Sequence, residues 1–190
     1  MNEEEIKKVI NDIENNCSEY IFDNIKDCIS TCYQILSIYA AEGVINNIGG
    51  PFGAAIIEKI YDINKNTKYK ILTIARNTVI STKDVTCHAE INAIRKATKL
   101  LDNFVLDNCI LVTTAKSCPM CLSASCWASI KTIYYGIDYS CADTSGFKDS
   151  NIFDYINGKN DSIIQEIYMK DENCIVPFKT WNNKENKVMY

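Results

Sequence analysis

Basic clusters, long apolar runs and proline- or glycine-rich segments are all missing from this 190-residue chain. No run of Lys or Arg exceeds two residues and the net charge is −4, so neither a nucleic-acid backbone nor an anionic membrane is expected as a partner. No window approaches the roughly 20 apolar residues of a membrane span. With seven glycines, three prolines and 47% hydrophobic residues, the composition is that of an ordinary globular domain.

The N-terminal segment, residues 1–12, contains three consecutive glutamates and lacks the apolar stretch of a signal peptide. A cytoplasmic location is therefore expected. Ten cysteines without a signal peptide are expected to be reduced thiols, some of which bind a metal or take part in chemistry. Five cysteines have apolar neighbours and are predicted to be small buried hydrophobes: Cys17, Cys28, Cys32, Cys109 and Cys174.

Hydrophobic spacing predicts a layered α/β domain in which helices alternate with strands. Apolar residues recur every three or four positions over 18–44, which predicts one long helix. The β-branched runs at 52–60 and 69–75 predict a hairpin with a polar tip, and the strands after it are expected to be parallel. The remaining predicted elements are helices over 88–101, 119–130, 150–156 and 177–187, and strands over 108–114, 132–137 and 163–168.

One histidine and one Cys-x-x-Cys pair carry the strongest chemical signal in the sequence. His88, the only histidine, stands at the start of a predicted helix, and Cys118 and Cys121 lie at the start of another. The positive end of a helix dipole favours thiolates at such a position. Three such ligands, with one coordination position left for water, are typical of catalytic zinc. Glu90, two residues after the histidine, is near enough to exchange a proton with that water, so the set predicts hydrolysis.

Two other interpretations of these residues stay open on the pattern alone. Cys118 and Cys121 could act as a redox dithiol, although that use would leave His88 and Glu90 unexplained. Alternatively, a fourth cysteine could close the zinc site and make it a non-catalytic scaffold. The candidates for that fourth ligand are Cys87, Cys126 and Cys141.

Further motifs extend well beyond the metal-binding residues. They lie at 49–54, 77–79, 88–96, 118–122, 127–128, 145–147, 149–150 and 177–181. On these motifs residues 42–190 resemble the cytidine deaminase superfamily of zinc hydrolases, and within it the bacterial-type guanine deaminases. The resemblance implies a three-layer αβα fold, with a central mixed sheet of about five strands. The chain would then consist of a helical extension, residues 1–27, and a zinc-dependent deaminase domain, residues 28–190.

The resemblance implies a reaction for the metal-binding residues. His88, Cys118 and Cys121 would hold Zn²⁺, which activates a water as the nucleophile, and Glu90 would carry the proton to the ring and the departing amine. Guanine would thereby be converted to xanthine and ammonia in purine metabolism. The alternative within the same fold is deamination of another small base or nucleotide, a cytosine or adenine derivative. A tRNA substrate is disfavoured because the chain is acidic.

The resemblance also implies which residues bind the substrate. A carboxylate that binds substrate in the family corresponds to Cys141 here, and Asp143, two residues later, would replace it. In the family the C-terminal tail crosses to the partner subunit of a homodimer, where its terminal tyrosine closes the active site. The implied substrate-binding residues are Phe52, Asn77, the backbone of Ala89, Trp127, Asp143 and Tyr190.

Overall fold

A mixed five-stranded sheet forms the centre of the computed structural model, which describes residues 1–15, 20–147, 149–159, 167–169 and 171–185. The strands are β1 (Ile21–Phe22), β2 (Gly53–Tyr61), β3 (Thr67–Arg76), β4 (Cys109–Ala115) and β5 (Ile133–Ile137). Their spatial order is β1-β3-β2-β4-β5. β4 and β5 run parallel, as predicted for the strands after the hairpin, and the other three pairings are antiparallel.

Helices connect these strands and cover both faces of the sheet. They are α1 (Glu3–Glu14), α2 (Ile25–Ile45), α3 (Val79–Thr82), α4 (Ala89–Leu101), α5 (Pro119–Trp127), α6 (Tyr139–Thr144), α7 (Asp149–Ile156) and α8 (Val176–Asn183). A 3₁₀ turn, Glu172–Ile175, leads into α8. The helices predicted over 88–101, 119–130 and 150–156 correspond to α4, α5 and α7.

The sheet separates two layers of apolar packing. Successive residues of β2 point to opposite faces: Ala55 and Ile57 pack in a cluster with α1 and α2, whereas Ala54 and Ile56 pack in a second cluster with α4. All four side chains are fully buried, because helices cover both faces. The predicted three-layer arrangement is therefore confirmed.

The N-terminal region differs from the single helix predicted over 18–44. α2 begins only at Ile25, because the Asn24 side chain accepts a hydrogen bond from the Lys26 amide at 2.8 Å and caps the helix there. Ile21 and Phe22 form β1 instead and pair with the outer edge of β3. The helical spacing of the apolar residues extends by chance into this strand, whereas the capping residue marks the true start of the helix.

α1 packs into the same core as the helix that follows it. Its buried residues Ile6, Val9, Ile10 and Ile13 belong to the apolar cluster that contains α2 and β3 residues. The boundary predicted between residues 27 and 28 falls within the first turn of α2. The division into extension and deaminase domain stays a prediction.

α2 is long and apolar enough to cross a membrane. By length and composition, the expectation that no part of the chain could form a membrane span is therefore wrong. A core helix of a soluble protein can have the same length and composition. Here Cys28, Cys32, Ile35 and Leu36 are fully buried in the cluster with the sheet. Packing against the sheet accounts for the apolar composition.

The C-terminal part of the chain is described in pieces. Four residues of the strand predicted over 163–168 lie outside the described residues, and the other two, Ile167 and Tyr168, have no regular structure. The helix predicted over 177–187 corresponds to α8, which ends at Asn183. Cys174 is exposed, contrary to the prediction, because the 3₁₀ turn that holds it packs against α8 and not against the core.

Candidate active site

His88 and Glu90 are placed by the N-terminus of α4. His88 is the N-cap residue, with extended backbone angles, and its carbonyl accepts a hydrogen bond from the Asn92 amide at 2.9 Å. Glu90 lies in the first turn of the same helix and is only 5% exposed. The imidazole and the carboxylate therefore lie near the same end of one rigid element.

Cys118 and Cys121 are placed in the same way by α5. Cys118 is the N-cap residue, and Pro119 occupies the first helical position, where its missing N–H breaks no helical hydrogen bond. Cys121 follows in the first turn and is fully buried. Since the helix N-terminus carries a partial positive charge, it favours a thiolate at this end of α5. The pair shares one charge, because the hydrogen bond with Cys118, together with burial, raises the pKa of Cys121 well above its ordinary value.

The spacing of these three side chains fits a tetrahedral zinc ion. The Sγ atoms of Cys118 and Cys121 each lie 3.6 Å from Nδ1 of His88. A tetrahedral ion with Zn–S bonds of about 2.3 Å and a Zn–N bond of about 2.0–2.1 Å holds its sulfur and nitrogen ligands about 3.5–3.6 Å apart. Within the described part of the chain, these three residues are the group whose ligand atoms converge, all within 4.8 Å of one another.

The electrostatics of the group favour metal binding. A hydrogen bond with Cys121 and one with His88 lower the pKa of Cys118 from 9.0 to about 4, despite the opposing effect of burial. The same contact with Cys118 is the main cause that raises the pKa of His88. Because one thiolate already exists at neutral pH, binding of a cation needs to displace fewer protons.

Glu90 occupies a different environment from the ligands beside it. Burial raises the pKa of its carboxyl group, and the negative charge of Cys118 acts in the same direction. A carboxylate with a raised pKa can accept and return a proton near neutral pH. The neighbouring Ser117 hydroxyl is buried, and its interaction with the carboxylate acts in the opposite direction. The site thus combines three side chains that can hold a metal ion with a buried carboxyl group.

A cavity of about 30 Å³ lies beside the group, which is room for roughly one or two water molecules. Larger surface hollows of about 370 and 410 Å³ lie next to α1 and α4, but they contain none of the metal-ligating residues. We therefore place the chemistry at the small cavity. Its lining residues are Phe52, Asn77, His88, Glu90, Lys116, Cys118, Phe147 and Asp149.

Asn77 is held rigidly in the cavity wall. Its Oδ1 atom accepts hydrogen bonds from the backbone amides of Gly50 and Val79, both at 3.1 Å. The side chain is 5% exposed. Because the oxygen is occupied by two donors, the amide nitrogen is the atom that can donate to a ligand.

Three cavity residues were not among the predicted site residues: Lys116, Phe147 and Asp149. Phe147 packs edge-on against Phe52, with the ring centres 4.7 Å apart. Lys116 pairs with Asp138 at 3.5 Å and lies over the ring of Tyr139. The motifs at 145–147 and 149–150 were the available signal, but sequence alone did not show that this segment turns towards the metal ligands.

Several predicted substrate-binding residues do not line the cavity or lie outside the described residues. Asp143 is exposed and accepts a hydrogen bond from the Ser150 hydroxyl at 2.8 Å, and it does not line the cavity. Trp127, at the end of α5, is 68% exposed and is also absent from the cavity lining. Ala89 is fully buried beside His88. Tyr190 lies outside the described residues.

Cys87, Cys126 and Cys141 were the candidates for a fourth metal ligand. Cys126 and Cys141 are exposed. The Sγ atom of Cys87 lies 3.4 Å from an Asp84 carboxylate oxygen and 3.5 Å from an Arg95 nitrogen. None of these thiols joins the three converging ligands in the described part of the chain. Three converging protein ligands, without a fourth among the described residues, are the ligand number of catalytic zinc sites.

Comparisons with known proteins agree with this site. The family profile described as "Cytidine and deoxycytidylate deaminase zinc-binding region" matches residues 30–137. The chain is 38% identical to guanine deaminase from Bacillus subtilis over 152 residues, which cover 80% of this chain and 92% of that protein. It is 30% identical to the tRNA-specific adenosine deaminase of Rickettsia typhi over 102 residues, covering 54% of this chain and 62% of that protein.

Solved structures show the same relationship. The X-ray structure of the Bacillus subtilis guanine deaminase superposes with a TM-score of 0.73 at 37% identity, covering 85% of this chain and 98% of that one. Guanine deaminase from Nitrosomonas europaea superposes with a TM-score of 0.56 at 21% identity, over 73% of this chain and 71% of that one, and shares the fold. With its open three-ligand site and adjacent glutamate, the chain belongs to the family of zinc-dependent cytidine and deoxycytidylate deaminases.

Proposed function

We propose that this enzyme hydrolyses guanine to xanthine and ammonia. The observation that carries the proposal is the similarity to a guanine deaminase over 92% of that relative's length, which extends well beyond the zinc-binding region. The relatives that act on tRNA match shorter parts of the chain. An acidic protein without basic clusters also lacks the groups that hold a phosphate backbone.

In this proposal each side chain at the site has one task. His88, Cys118 and Cys121 hold the zinc ion, which when bound supplies a water that ionises near neutral pH. Glu90 accepts a proton from water and delivers it to the purine ring, and then takes the remaining proton from the hydroxyl group added to the ring carbon and passes it to the amine that leaves. Its burial suits it to both steps, because a raised pKa makes the carboxylate a stronger base and makes its protonated form available at higher pH.

The cavity walls orient the purine. The fixed amide of Asn77 donates to the ring, the backbone of Ala89 lies beside the metal ligand, and Phe52 with Phe147 forms an aromatic wall. A purine is several times larger than the present cavity of about 30 Å³. Binding therefore moves Phe147 outward. Asp143 and Trp127, as further substrate contacts, depend on a rearrangement of the α6–α7 segment and of the subunit interface.

The C-terminal segment supports the proposal of a homodimer. Tyr168 and Met169 are 87% and 88% exposed, and Val176 and Phe178 in α8 are also exposed. A segment with so much exposed apolar surface is suited to packing on a second subunit. In the proposed dimer the tail crosses to the partner, and Tyr190 closes the partner's active site. We place the enzyme in cytoplasmic purine metabolism.

Replacing Glu90 with glutamine tests the reaction. The variant keeps a polar side chain of the same size, so we expect full zinc content but a rate of ammonia release from guanine reduced on the order of 10²- to 10⁴-fold. Adenine and cytosine serve as alternative substrates in the same assay. Retention of wild-type turnover by Glu90→Gln would refute the assigned role, and preference for adenine or cytosine would refute guanine as the substrate.

A further inference from the structure

A buried hydroxyl group lies beside the carboxyl group of Glu90. It belongs to Ser117, which directly precedes the metal ligand Cys118 and is 6% exposed. In the part of the chain that the structure describes, the carboxyl group of Glu90 is the group with which this hydroxyl interacts. Removing a hydroxyl group from water costs free energy unless a hydrogen bond replaces those lost to water. The interaction with Glu90 is therefore the one that can offset the burial of Ser117.

The backbone that carries this hydroxyl is fixed by hydrogen bonds to the neighbouring strand and helix. The Lys116 amide donates to the carbonyl of Ile137 in β5 at 2.8 Å. The Tyr139 hydroxyl, from α6, donates to the Ser117 carbonyl at 2.8 Å. The Lys116 ammonium group lies 4.6 Å from the centre of the Tyr139 ring and 3.5 Å from a carboxylate oxygen of Asp138. These contacts hold Ser117 in place, so its hydroxyl has a defined position.

The chemistry of the two groups sets the direction of their hydrogen bond. An ionised carboxylate can only accept, whereas the serine hydroxyl has one proton to donate. Burial is the strongest influence on the pKa of Glu90 and raises it, while Ser117 lowers it, as a donor to the ionised form does. The backbone amide of Glu90 also donates to the carboxylate. Two donors, one from its own backbone and one from Ser117, thus define how the carboxylate is turned.

We propose that Ser117 is a positioning residue for Glu90: its hydroxyl donates a hydrogen bond to the carboxylate and holds it in the orientation used for proton transfer. This inference rests on the proposed function, from which the task of Glu90 is taken. Proton transfer needs the carboxylate oxygen within about 2.6–3.2 Å of the proton's donor or acceptor, so a carboxylate that turns away reacts more slowly. Ser117 is not among the residues that line the cavity, so substrate binding does not depend on it.

Two substitutions of Ser117 test the proposal in zinc-loaded protein. Ser117→Ala removes the hydroxyl, so we expect kcat for guanine to fall about tenfold while KM stays within about twofold of wild type. Zinc content, measured by metal analysis, should stay at the wild-type level because the three ligands are unchanged. Ser117→Thr keeps a hydroxyl at the same position and is expected to recover most of the lost kcat.

The matched control is Ser125→Ala, which removes another buried serine hydroxyl close to the metal ligands. Ser125 is 1% exposed and donates to the Cys121 carbonyl at 2.9 Å inside α5. Its kcat is expected to stay within about twofold of wild type. If Ser117→Ala keeps the wild-type kcat, or if Ser125→Ala loses as much, the assignment of Ser117 is overturned.

A double variant shows whether Ser117 acts through Glu90. In the Glu90→Gln background the carboxylate that Ser117 orients is gone, so Ser117→Ala should lower the residual rate by less than about twofold. A further loss of about tenfold in this background would mean that Ser117 acts on another group, and the assignment would be wrong.

A crystal structure of the zinc-loaded wild-type protein tests the contact without any assay of activity. The account predicts a distance of about 2.5–3.0 Å between Oγ of Ser117 and a carboxylate oxygen of Glu90. A separation greater than about 3.5 Å would overturn the role of Ser117 even if guanine is the substrate. Absence of guanine turnover by the wild-type enzyme would instead refute the proposed function, whatever the distance.

Discussion

Two pairs of buried cysteines on helices have opposite characters in this protein. Cys118 and Cys121 lie at the N-terminus of α5, and Cys28 and Cys32 lie one turn apart inside α2. All four are buried free thiols. The first pair has a histidine within 3.6 Å of each sulfur, whereas the second pair is surrounded by the apolar cluster of α1, α2 and the sheet.

The surroundings of each pair determine its chemistry. The pKa of Cys118 falls to about 4 through its hydrogen bonds with Cys121 and His88. The pKa of Cys32 rises well above its ordinary value, because Cys28 holds it in a hydrogen bond and burial disfavours the thiolate. Burial and helical position alone therefore do not make a metal site. The converging imidazole of His88 is what the first pair has and the second pair lacks.

Cys118→Ser is expected to have the largest effect on the first pair. A hydroxyl group is a poor zinc ligand, so the variant should lose zinc and with it the catalytic water, and ammonia release should fall by about 1,000-fold or more. Metal analysis of the purified variant and the rate of guanine deamination measure this effect. Stoichiometric zinc in Cys118→Ser would contradict the assignment of the ligand.

Cys32→Ala makes the matching change in the second pair. It removes a sulfur atom from a fully buried position in α2, and the small void left behind should lower the free energy of unfolding by about 1 to 3 kcal/mol. Urea denaturation measures that loss. Zinc content should stay at the wild-type level, and loss of zinc from Cys32→Ala without unfolding would show that the two pairs are coupled.

The smallest expected difference between the pairs is the charge of their thiols in the metal-free protein. Since the pKa of Cys118 lies near 4 instead of 9.0, this group is a thiolate in the folded chain at about pH 6, while ordinary thiols titrate near 8.5. The lowered pKa stabilises the folded state above the unfolded pKa, and this contribution disappears as the pH falls through about 4.

Ultraviolet thiolate absorbance of the metal-stripped protein at about pH 6 measures this charge. One thiolate is expected in the wild type and in Cys32→Ala. None is expected when Cys118 and Cys121 are both replaced by serine, whereas in Cys118→Ser the remaining thiol of Cys121 can take over the charge, because Cys118 is the main cause of its raised pKa. An unchanged signal in the double variant would mean that a cysteine outside this pair carries the low pKa.

Local patterns predicted most of the fold. The hairpin of β2 and β3, the parallel pairing of β4 with β5 and the starts of α4 and α5 all follow from periodicity and from Pro119. β1 could not be predicted in this way, because a two-residue edge strand has no period and is formed by pairing with β3. Burial of Cys28, Cys32 and Cys109 followed from their apolar neighbours, but exposure of Cys174 depends on tertiary packing.

The metal ligands of the candidate site could be predicted from the sequence, but several residues of the cavity wall could not. His88, Cys118 and Cys121 have the spacing of a known ligand set, so their convergence could be expected from the sequence. Asp149 reaches the cavity because the chain turns between α6 and α7, and Lys116 reaches it because it directly follows β4. The spacing of the metal ligands in the sequence gives no information about either residue. Asp143 was favoured by its proximity in sequence to Cys141, but its contact with Ser150 holds it at the surface.

The most direct test of the account is product analysis with guanine as the only substrate. Zinc-loaded wild-type protein is incubated with guanine. The xanthine and ammonia that form are then quantified, and metal-stripped protein is the blank. The account predicts equal molar amounts of xanthine and ammonia, formed only by the zinc-loaded enzyme. Full zinc occupancy without xanthine, or equal product formation by the metal-stripped protein, would contradict it.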